Sequence, residues 1–101
     1  MFLSMEKIIK KLEEFVAARD WEQFHTPKNL AISIAIEAAE LLEHFQWNDV
    51  QFRELPDRKA IEEEVADVMI YCLLFLNYMG SSVEEVLMNK IQKNEKKYEV
   101  S

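Results

Sequence analysis

The chain has 101 residues, half of them hydrophobic, and it carries 12 basic against 19 acidic side chains, a net charge of −7. This length predicts a single domain over residues 1–101 with a thin core, and the hydrophobic content excludes intrinsic disorder. The negative charge argues against broad binding to nucleic acid. A polyanionic ligand would therefore need an added cation, and a metal ion is the obvious one.

Neither a disulfide framework nor a targeting segment is expected. Cys72 is the single cysteine, and its apolar neighbours indicate that it packs as a small hydrophobic residue. Charged residues follow Met5 directly, which does not fit a signal peptide. The longest apolar run, 68–76, is far shorter than the ~20 residues of a membrane span. We therefore expect a soluble cytoplasmic protein without a membrane partner.

One glycine and two prolines leave little material for turns, and this predicts long helices. The first helix is expected from about Ser4, a good N-cap, to Arg19. A connector over 20–26 follows it. The second helix is expected to begin with Thr26 as N-cap and Pro27 as first helical residue, and to run to about 45.

A second connector over 47–56 has room for a helical turn. Asp57 is expected to cap the third helix, which runs to Met79 and ends at Gly80. The sequence S-V-E-E at 82–85 fits a capping box that opens a fourth helix towards Tyr98. Since no segment has a strand pattern, the predicted fold class is all-α with four helices.

The two central helices each carry a narrow polar stripe between two apolar faces. At ~100° per residue, the stripe of the second helix holds Ser33, Glu37, Glu40 and His44, and that of the third holds Glu64, Asp67 and Tyr71, with Tyr78 further along. The helices thus share the matching patterns E-x-x-E-x-x-x-H and E-x-x-D-x-x-x-Y.

Carboxylates three residues apart on a helix repel each other. One interpretation is that each stripe is simply a solvated face. The apolar flanks, the repetition on two helices and the scarcity of nearby basic residues favour another, in which a divalent cation neutralises Glu37, Glu40, Glu64 and Asp67 together. Oxygen ligands favour Mg²⁺, with Mn²⁺ as a substitute. A zinc site would need a cluster of His or Cys residues, and a di-iron site would need paired Glu-x-x-His motifs. The sequence has neither.

Polar residues on the fourth helix are candidates for holding phosphate. Lys90, Asn94 and Tyr98 lie four apart on one side of this helix. The lysines near its C-terminus also complement the helix dipole. Lys90 and Asn94 border the apolar face, which makes them the better candidates for phosphate oxygens.

Aromatic residues concentrate in the connectors, among them Trp21, His25 and Trp47. They can plug the ends of a helical bundle or stack on a nucleobase. The combination of acids, bases and rings favours a nucleotide site.

These residues resemble the MazG-like nucleotide pyrophosphohydrolases, in particular the dCTP pyrophosphatase branch. The resemblance rests on R-D-W-E-Q-F-H-T-P-K-N-L at 19–30, E-A-A-E-L at 37–41, F-Q-W at 45–47 and E-V-A-D-V at 64–68, with Tyr71, Lys90, Asn94 and Tyr98. The likeness extends over nearly the whole chain.

The resemblance implies a helical subunit that pairs with further copies, as a dimer or tetramer, to complete its active sites. The implied reaction is Mg²⁺-dependent hydrolysis of a nucleoside triphosphate to the monophosphate and pyrophosphate, with dCTP or a related pyrimidine or modified nucleotide as substrate. The implied roles are metal binding and catalysis by Glu37, Glu40, Glu64 and Asp67, phosphate binding by Lys90, Asn94 and Tyr98, and base binding by Trp21, His25 and Trp47. Tyr71 is a further candidate.

The chain departs from that pattern at two positions. Leu12 aligns with a histidine near the base in animal members, and Glu99 replaces a proline after the terminal tyrosine. A preference for dCTP over dUTP or damaged nucleotides therefore does not follow. The alternative from another class is a non-catalytic helical oligomerisation or regulatory module, which would also explain two apolar faces per helix.

Overall fold

The computed structural model describes residues 4–100, so that the start of the chain, on which the expectation of no signal peptide partly rests, lies outside the described residues. Four α-helices follow one another: α1 (Met5–Ala18), α2 (Pro27–Glu43), α3 (Arg58–Tyr78) and α4 (Val83–Lys97). Short 3-10 turns at Glu22–Phe24 and Phe52–Glu54 lie in the two connectors. Between residues 4 and 100 there is no strand. The prediction of an all-α, four-helix fold is confirmed for this part of the chain.

Each of the four helices begins with a residue whose side chain caps its N-terminus. Each expected N-cap accepts a hydrogen bond from the backbone N–H three residues ahead: Ser4 from Lys7 (3.3 Å), Thr26 from Asn29 (3.1 Å), Asp57 from Ala60 (3.2 Å) and Ser82 from Glu85 (3.4 Å). The helix starts are therefore the predicted ones.

The helix ends are slightly earlier than expected. α2 ends at Glu43, because His44 and Phe45 donate to carbonyls three residues back, at 3.3 and 2.9 Å, which tightens the last turn. α3 ends at Tyr78, and Gly80 adopts the left-handed φ of 73° that terminates helices. From there α4 departs at a bend of 102° to α3.

Within residues 4–100 no single helix has both the length and the apolar content to cross a bilayer. Only α3 and α4 taken together have this length and apolar content, and the 102° bend lies between them.

The body of the protein is an α2–α3 pair with α1 against α3. Leu30 near the start of α2 meets Leu74 near the end of α3, and Val16 of α1 completes this cluster. At the other end of α2, Leu41 and Ile61 line one depression. The two long helices therefore run antiparallel, which brings the middle of α2 against the first half of α3.

The protomer buries little of its apolar surface. Its accessible surface is 8578 Å², against about 6,000 Å² for a compact monomer of this mass. The radius of gyration is 16.3 Å, against about 13 Å for a compact chain of this length. Leu42 and Trp47 are 67% and 86% exposed. The helices thus form an open frame whose outer apolar faces are not covered by the described residues.

Candidate active site

Three carboxylates meet where α2 packs against α3. Glu37 and Glu40 lie one turn apart on α2, and Glu64 faces them from α3. One oxygen of each side chain lies within 4.8 Å of the others. Glu37 and Glu64 are half-buried, whereas Glu40 is exposed. The 3.6-residue period places the α2 pair side by side, and the antiparallel packing supplies the third acid.

This carboxylate cluster (Glu37, Glu40 and Glu64) lacks compensating partners. Among the described residues, Glu37 Oε2 and Glu64 Oε2 are buried without a hydrogen-bond partner, a costly arrangement. A hydrogen bond with Glu64, in which the two carboxylates share one proton, raises the pKa of Glu37 most. Burial raises it further. Glu37 in turn raises the pKa of Glu40, chiefly by the same proton sharing. When Glu37 and Glu64 are both ionised, they have no proton to share, and their buried Oε2 atoms have no hydrogen-bond partner among the described residues.

The donor set of the cluster fits a hard divalent cation. All its ligand atoms are carboxylate oxygens, the chemistry that Mg²⁺ prefers. The ion pairs found in the described part of the chain, Arg53–Glu54 and Arg58–Glu62, involve other carboxylates. A cation between the three acids would satisfy the two unpaired oxygens.

The fourth predicted ligand, Asp67, lies beside this group but outside it. Its side chain is exposed and is not one of the three that converge within 4.8 Å. Its negative charge contributes least among the groups that raise the pKa of Glu37. One turn after Glu64, Asp67 lines the wall of a neighbouring pocket.

That neighbour, the aromatic pocket, is a cavity of ≈ 340 Å³ between α1, the first connector and α3. Its walls are mostly apolar, with a few polar groups among them. It is lined by Lys11, Leu12, Phe15, Val16, Trp21, His25, Asp67, Ile70, Tyr71 and Leu74. Mostly apolar walls with a few polar groups are typical of small-molecule sites.

An edge-to-face pair of rings and a cation–π contact hold the first connector in place. Trp21 meets Phe15 edge-on at 5.6 Å between centroids, and the Arg19 guanidinium lies 3.6 Å above the Phe15 ring. Arg19 also donates to the Phe15 carbonyl at 3.0 Å. Asp20 adopts a left-handed φ of 54°, which turns the chain back so that Trp21 faces α1. The pocket's aromatic wall is therefore ordered within one protomer.

The aromatic pocket and the carboxylate cluster are contiguous along α3. Asp67 and Tyr71, both in the pocket wall, follow Glu64 by one and two turns. At 1.5 Å per residue the distance from Glu64 to Tyr71 along the axis is about 10 Å. A ring held in the pocket and a phosphate chain held at the cluster are thus compatible with one bound molecule.

Two groups of predicted residues are not brought to this site. Trp21 and His25 precede α2, while Trp47 follows it, and a helix of 17 residues spans about 26 Å. Trp47 is therefore at the opposite end of α2 from the aromatic pocket.

Lys90, Asn94 and Tyr98 belong to the end of the molecule away from the cluster. Glu64 precedes the end of α3 by about 21 Å along the helix axis, and α4 then leaves at a 102° bend. Lys90 and Tyr98 are exposed and Asn94 is half-buried. Within one protomer Lys90 does not reach phosphates bound at Glu64.

Two lining residues and one residue behind the pocket wall were not singled out from the sequence as part of the site. Lys11 and Phe15 lie in the pocket wall, and Tyr78 forms a 2.8 Å hydrogen bond with His25. The signal for Tyr78 was its spacing of seven residues from Tyr71, which keeps both on one face of α3. Lys11 carries no comparable signal, because an exposed helical lysine is common.

The chain is similar to known proteins in its sequence and in its fold. A sequence profile of the MazG-like family matches residues 32–101. The dCTP pyrophosphatase 1 of Rattus norvegicus is 34% identical over 102 residues and 96% of this chain, and that of Homo sapiens is 34% identical over 100 residues and 94% of this chain. The chain spans 60% and 59% of the length of these two relatives.

The structural comparison covers nearly the whole of both molecules. The crystal structure of a pyrophosphatase from Archaeoglobus fulgidus superposes with a TM-score of 0.88 at 41% identity, over 99% of this chain and 96% of that one. The resemblance seen in the sequence is therefore confirmed by its fold as well as by its residues. The chain belongs to the MazG-like family.

Proposed function

We propose that this protein hydrolyses nucleoside triphosphates to the monophosphate and pyrophosphate in a reaction that needs Mg²⁺. The observation that carries the proposal is the meeting of Glu37, Glu40 and Glu64 within 4.8 Å, beside an aromatic cavity of ≈ 340 Å³. The printed names of the relatives, dCTP pyrophosphatase and pyrophosphatase, support the same reaction.

In this proposal the nucleobase enters the aromatic pocket, where Trp21 and Tyr71 supply ring surfaces for stacking. The triphosphate then extends past Asp67 towards the carboxylate cluster. Water adds to a phosphorus, the bond between the α- and β-phosphates breaks, and pyrophosphate leaves. One carboxylate among Glu37, Glu40, Glu64 and Asp67 accepts the proton that the water loses.

In this proposal the cation offsets the repulsion between the negatively charged protein and its substrate. A net charge of −7 and the unpaired Glu37 and Glu64 oxygens repel a triphosphate. Glu37, Glu40 and Glu64, together with Asp67, would hold Mg²⁺, which would supply positive charge for the phosphate oxygens and would make a nearby water easier to deprotonate. Mn²⁺ is expected to substitute for it.

The proposal includes a homo-oligomer, dimer or tetramer, that completes the site. The length of α2 separates Trp47 from the aromatic pocket by about 26 Å, and α3 separates Glu64 from the start of α4, which carries Lys90, by about 21 Å. If Trp47 contacts the base, or if Lys90, Asn94 and Tyr98 hold phosphates, they do so in the site of another copy. Exposed apolar side chains such as Leu42 and Trp47 offer surface for such contacts.

The substrate proposed is dCTP or a related pyrimidine or modified deoxynucleotide. Leu12 lies in the pocket wall, at the position that departs from the dCTP pyrophosphatases. It offers the base an apolar contact and no hydrogen bond. A panel of nucleotides, including dCTP, dUTP and oxidised or methylated forms, measures the preference.

The test of the reaction is pyrophosphate release from each deoxynucleoside triphosphate with Mg²⁺. Glu64→Gln and Asp67→Asn are expected to lower kcat by at least about 100-fold. Glu63→Gln is the matched control, because Glu63 is an exposed neighbour on the same helix outside the cluster, and it should keep near-normal turnover. Absence of turnover with every nucleotide and metal would remove the proposal.

The second candidate is a non-catalytic helical oligomerisation module, favoured by the large exposed apolar surface. The two candidates differ in their response to metal. An active site of this kind predicts that Mg²⁺ raises the melting temperature of the wild type, less so that of Glu64→Gln, while Asp67→Asn assembles normally. A module without chemistry predicts no effect of Mg²⁺ and no turnover.

A further inference from the structure

The ring of His25 faces two different neighbours. On one side it lines the aromatic pocket. On the other, its Nδ1 lies 2.8 Å from the Tyr78 hydroxyl, and Tyr78 belongs to a separate groove with Glu22 and Asn77. Because the two ring nitrogens diverge and Nδ1 is engaged away from the pocket, Nε2 is the nitrogen left for a ligand in the pocket.

The His25 backbone is fixed independently of its ring. Its N–H donates to the Glu22 carbonyl at 3.0 Å, and Asn29 Nδ2 holds the preceding Phe24 carbonyl at 2.9 Å. Tyr78 then restrains the ring, by the hydrogen bond and by an edge-to-face contact with centroids 5.6 Å apart. This contact joins residues 53 apart in sequence, so it ties the first connector to the end of α3.

The direction of the hydrogen bond between the Tyr78 hydroxyl and Nδ1 sets the tautomer of His25, and the 2.8 Å distance fits either direction. Burial, and then the Glu22 charge, raise the pKa of Tyr78, so the phenol keeps its proton at neutral pH. Its one hydrogen-bond partner among the described side chains is His25 Nδ1. A phenol that donates to Nδ1 makes this nitrogen the acceptor, and the neutral imidazole then carries its hydrogen on Nε2.

We propose that Tyr78 is a positioning residue that holds His25 as the Nε2–H tautomer and directs this N–H into the aromatic pocket. There it donates to an acceptor of the nucleobase, a carbonyl oxygen or an unprotonated ring nitrogen. The inference rests on the proposed function for the identity of the ligand, but not for the tautomer. Tyr78 does not line the pocket itself, so it acts on the base only through His25.

The kinetic test uses Tyr78→Phe, which removes the hydroxyl and keeps the ring contact. Loss of one positioned neutral hydrogen bond predicts a rise in KM for the best nucleotide of about three- to tenfold. kcat is expected to change by less than about twofold. Binding of pyrophosphate with Mg²⁺, a probe without a base, should be unchanged, since the phosphate end of the site does not involve His25.

Asn77→Ala is the matched control. Asn77 precedes Tyr78 and makes its own long-range bond, from Nδ2 to Glu13 Oε2 at 2.9 Å. Its loss removes a tie between α3 and α1 close to Tyr78 without touching His25. A KM that rises equally in Asn77→Ala and Tyr78→Phe would assign the effect to general loosening and overturn the positioning role.

The tautomer is read directly from the ¹⁵N spectrum of histidine-labelled protein. The chain has two histidines, so the spectrum of His44→Gln assigns the signals of His25. The wild type should show a protonated Nε2 and an unprotonated Nδ1, and Tyr78→Phe a mixture of tautomers. A wild-type spectrum with the hydrogen on Nδ1 overturns the proposal, even if Tyr78→Phe does not fold.

Failure of the proposed function gives a different result. A wild-type protein that turns over no nucleotide overturns the contact with a nucleobase. The wild-type spectrum still decides, by itself, whether Tyr78 sets the tautomer.

Discussion

The two ends of the α2–α3 pair are built in different ways. At the start of α2, the first connector is held by side chains of its own protomer, with Trp21 against Phe15 and His25 bonded to Tyr78. At the other end, Trp47 and Phe52 are 86% and 89% exposed, and the segment is held mainly by backbone turns. The first end is packed within one chain, whereas the rings of the second end are exposed.

The largest expected difference between the two ends is between two leucines of α2. Leu30 is 2% exposed and Leu42 is 67% exposed. Leu30→Ala is expected to lower the free energy of unfolding by about 2–5 kcal/mol at any protein concentration, because it leaves a cavity in the core. Leu42→Ala should cost little in dilute protein and more as concentration rises. Urea denaturation at two concentrations checks this, and equal costs in dilute protein would abolish the distinction.

The two tryptophans test the same contrast at a smaller scale. Trp21→Ala removes an aromatic pair and part of a cation–π contact, and should lower stability by about 1–2 kcal/mol. Trp47→Ala should change the stability of the isolated protomer by less than about 0.5 kcal/mol, yet shift the oligomer towards smaller species. Thermal melts with light scattering measure both. An unchanged mass distribution for Trp47→Ala would show that this ring is not covered by a second copy.

The carboxylate cluster between the two ends predicts a pH dependence. Proton sharing with Glu64, then burial and the neighbouring negative charges, raise the folded-state pKa of Glu37 above the ordinary 4.5. The stability that this proton contributes is therefore full below about pH 4.5 and is lost as pH rises through the raised pKa. In EDTA at pH 7, Glu37→Gln should melt a few degrees higher than the wild type, and this gain should shrink towards pH 4.5.

With saturating Mg²⁺ at pH 7, the order of those melting temperatures should reverse, because the wild type keeps its full set of ligands. Glu63→Gln, on the exposed side of α3, is the control and should follow the wild type in both conditions. If Glu37→Gln melts lower than the wild type in EDTA at pH 7, the carboxylates do not repel each other in the folded protein.

The smallest effect is expected at the surface of α3. Arg58 and Glu62 form an i,i+4 pair at 3.2 Å with both side chains mostly exposed. Glu62→Gln should lower stability by about 0.3–0.5 kcal/mol, and the loss should vanish in 1 M salt. Chemical denaturation at low and high salt measures it. A cost above about 1 kcal/mol would mean that this surface is buried in the assembly.

What local sequence determines was predictable. The caps at Ser4, Thr26 and Asp57 depend on a side chain and the next three residues. The closeness of Glu37 and Glu40 follows from the helical period alone. Helix ends were less certain: the last turn of α2 tightens after Glu43, and no single residue there signals the change.

What depends on packing between distant segments was only partly predictable. The matched acidic stripes indicated that Glu64 meets Glu37, but not that Asp67 stands one turn aside. The hydrogen bond between His25 and Tyr78 joins residues 53 apart, and the local sequence around either residue does not indicate the other. The separation of Trp47 from the aromatic pocket follows from the length of α2 and the antiparallel packing, which a list of motifs does not contain.

Gly80 is the pivot that sets the direction of α4 relative to α3. It is the chain's single glycine, and a Cβ built on it would meet open space. Its left-handed φ of 73°, rather than crowding, is therefore what favours glycine there. α4 has 15 residues and is about 22 Å long, so a 10° rotation at this pivot displaces its far end by about 4 Å. The direction of Tyr98 thus depends on one backbone torsion eighteen residues earlier.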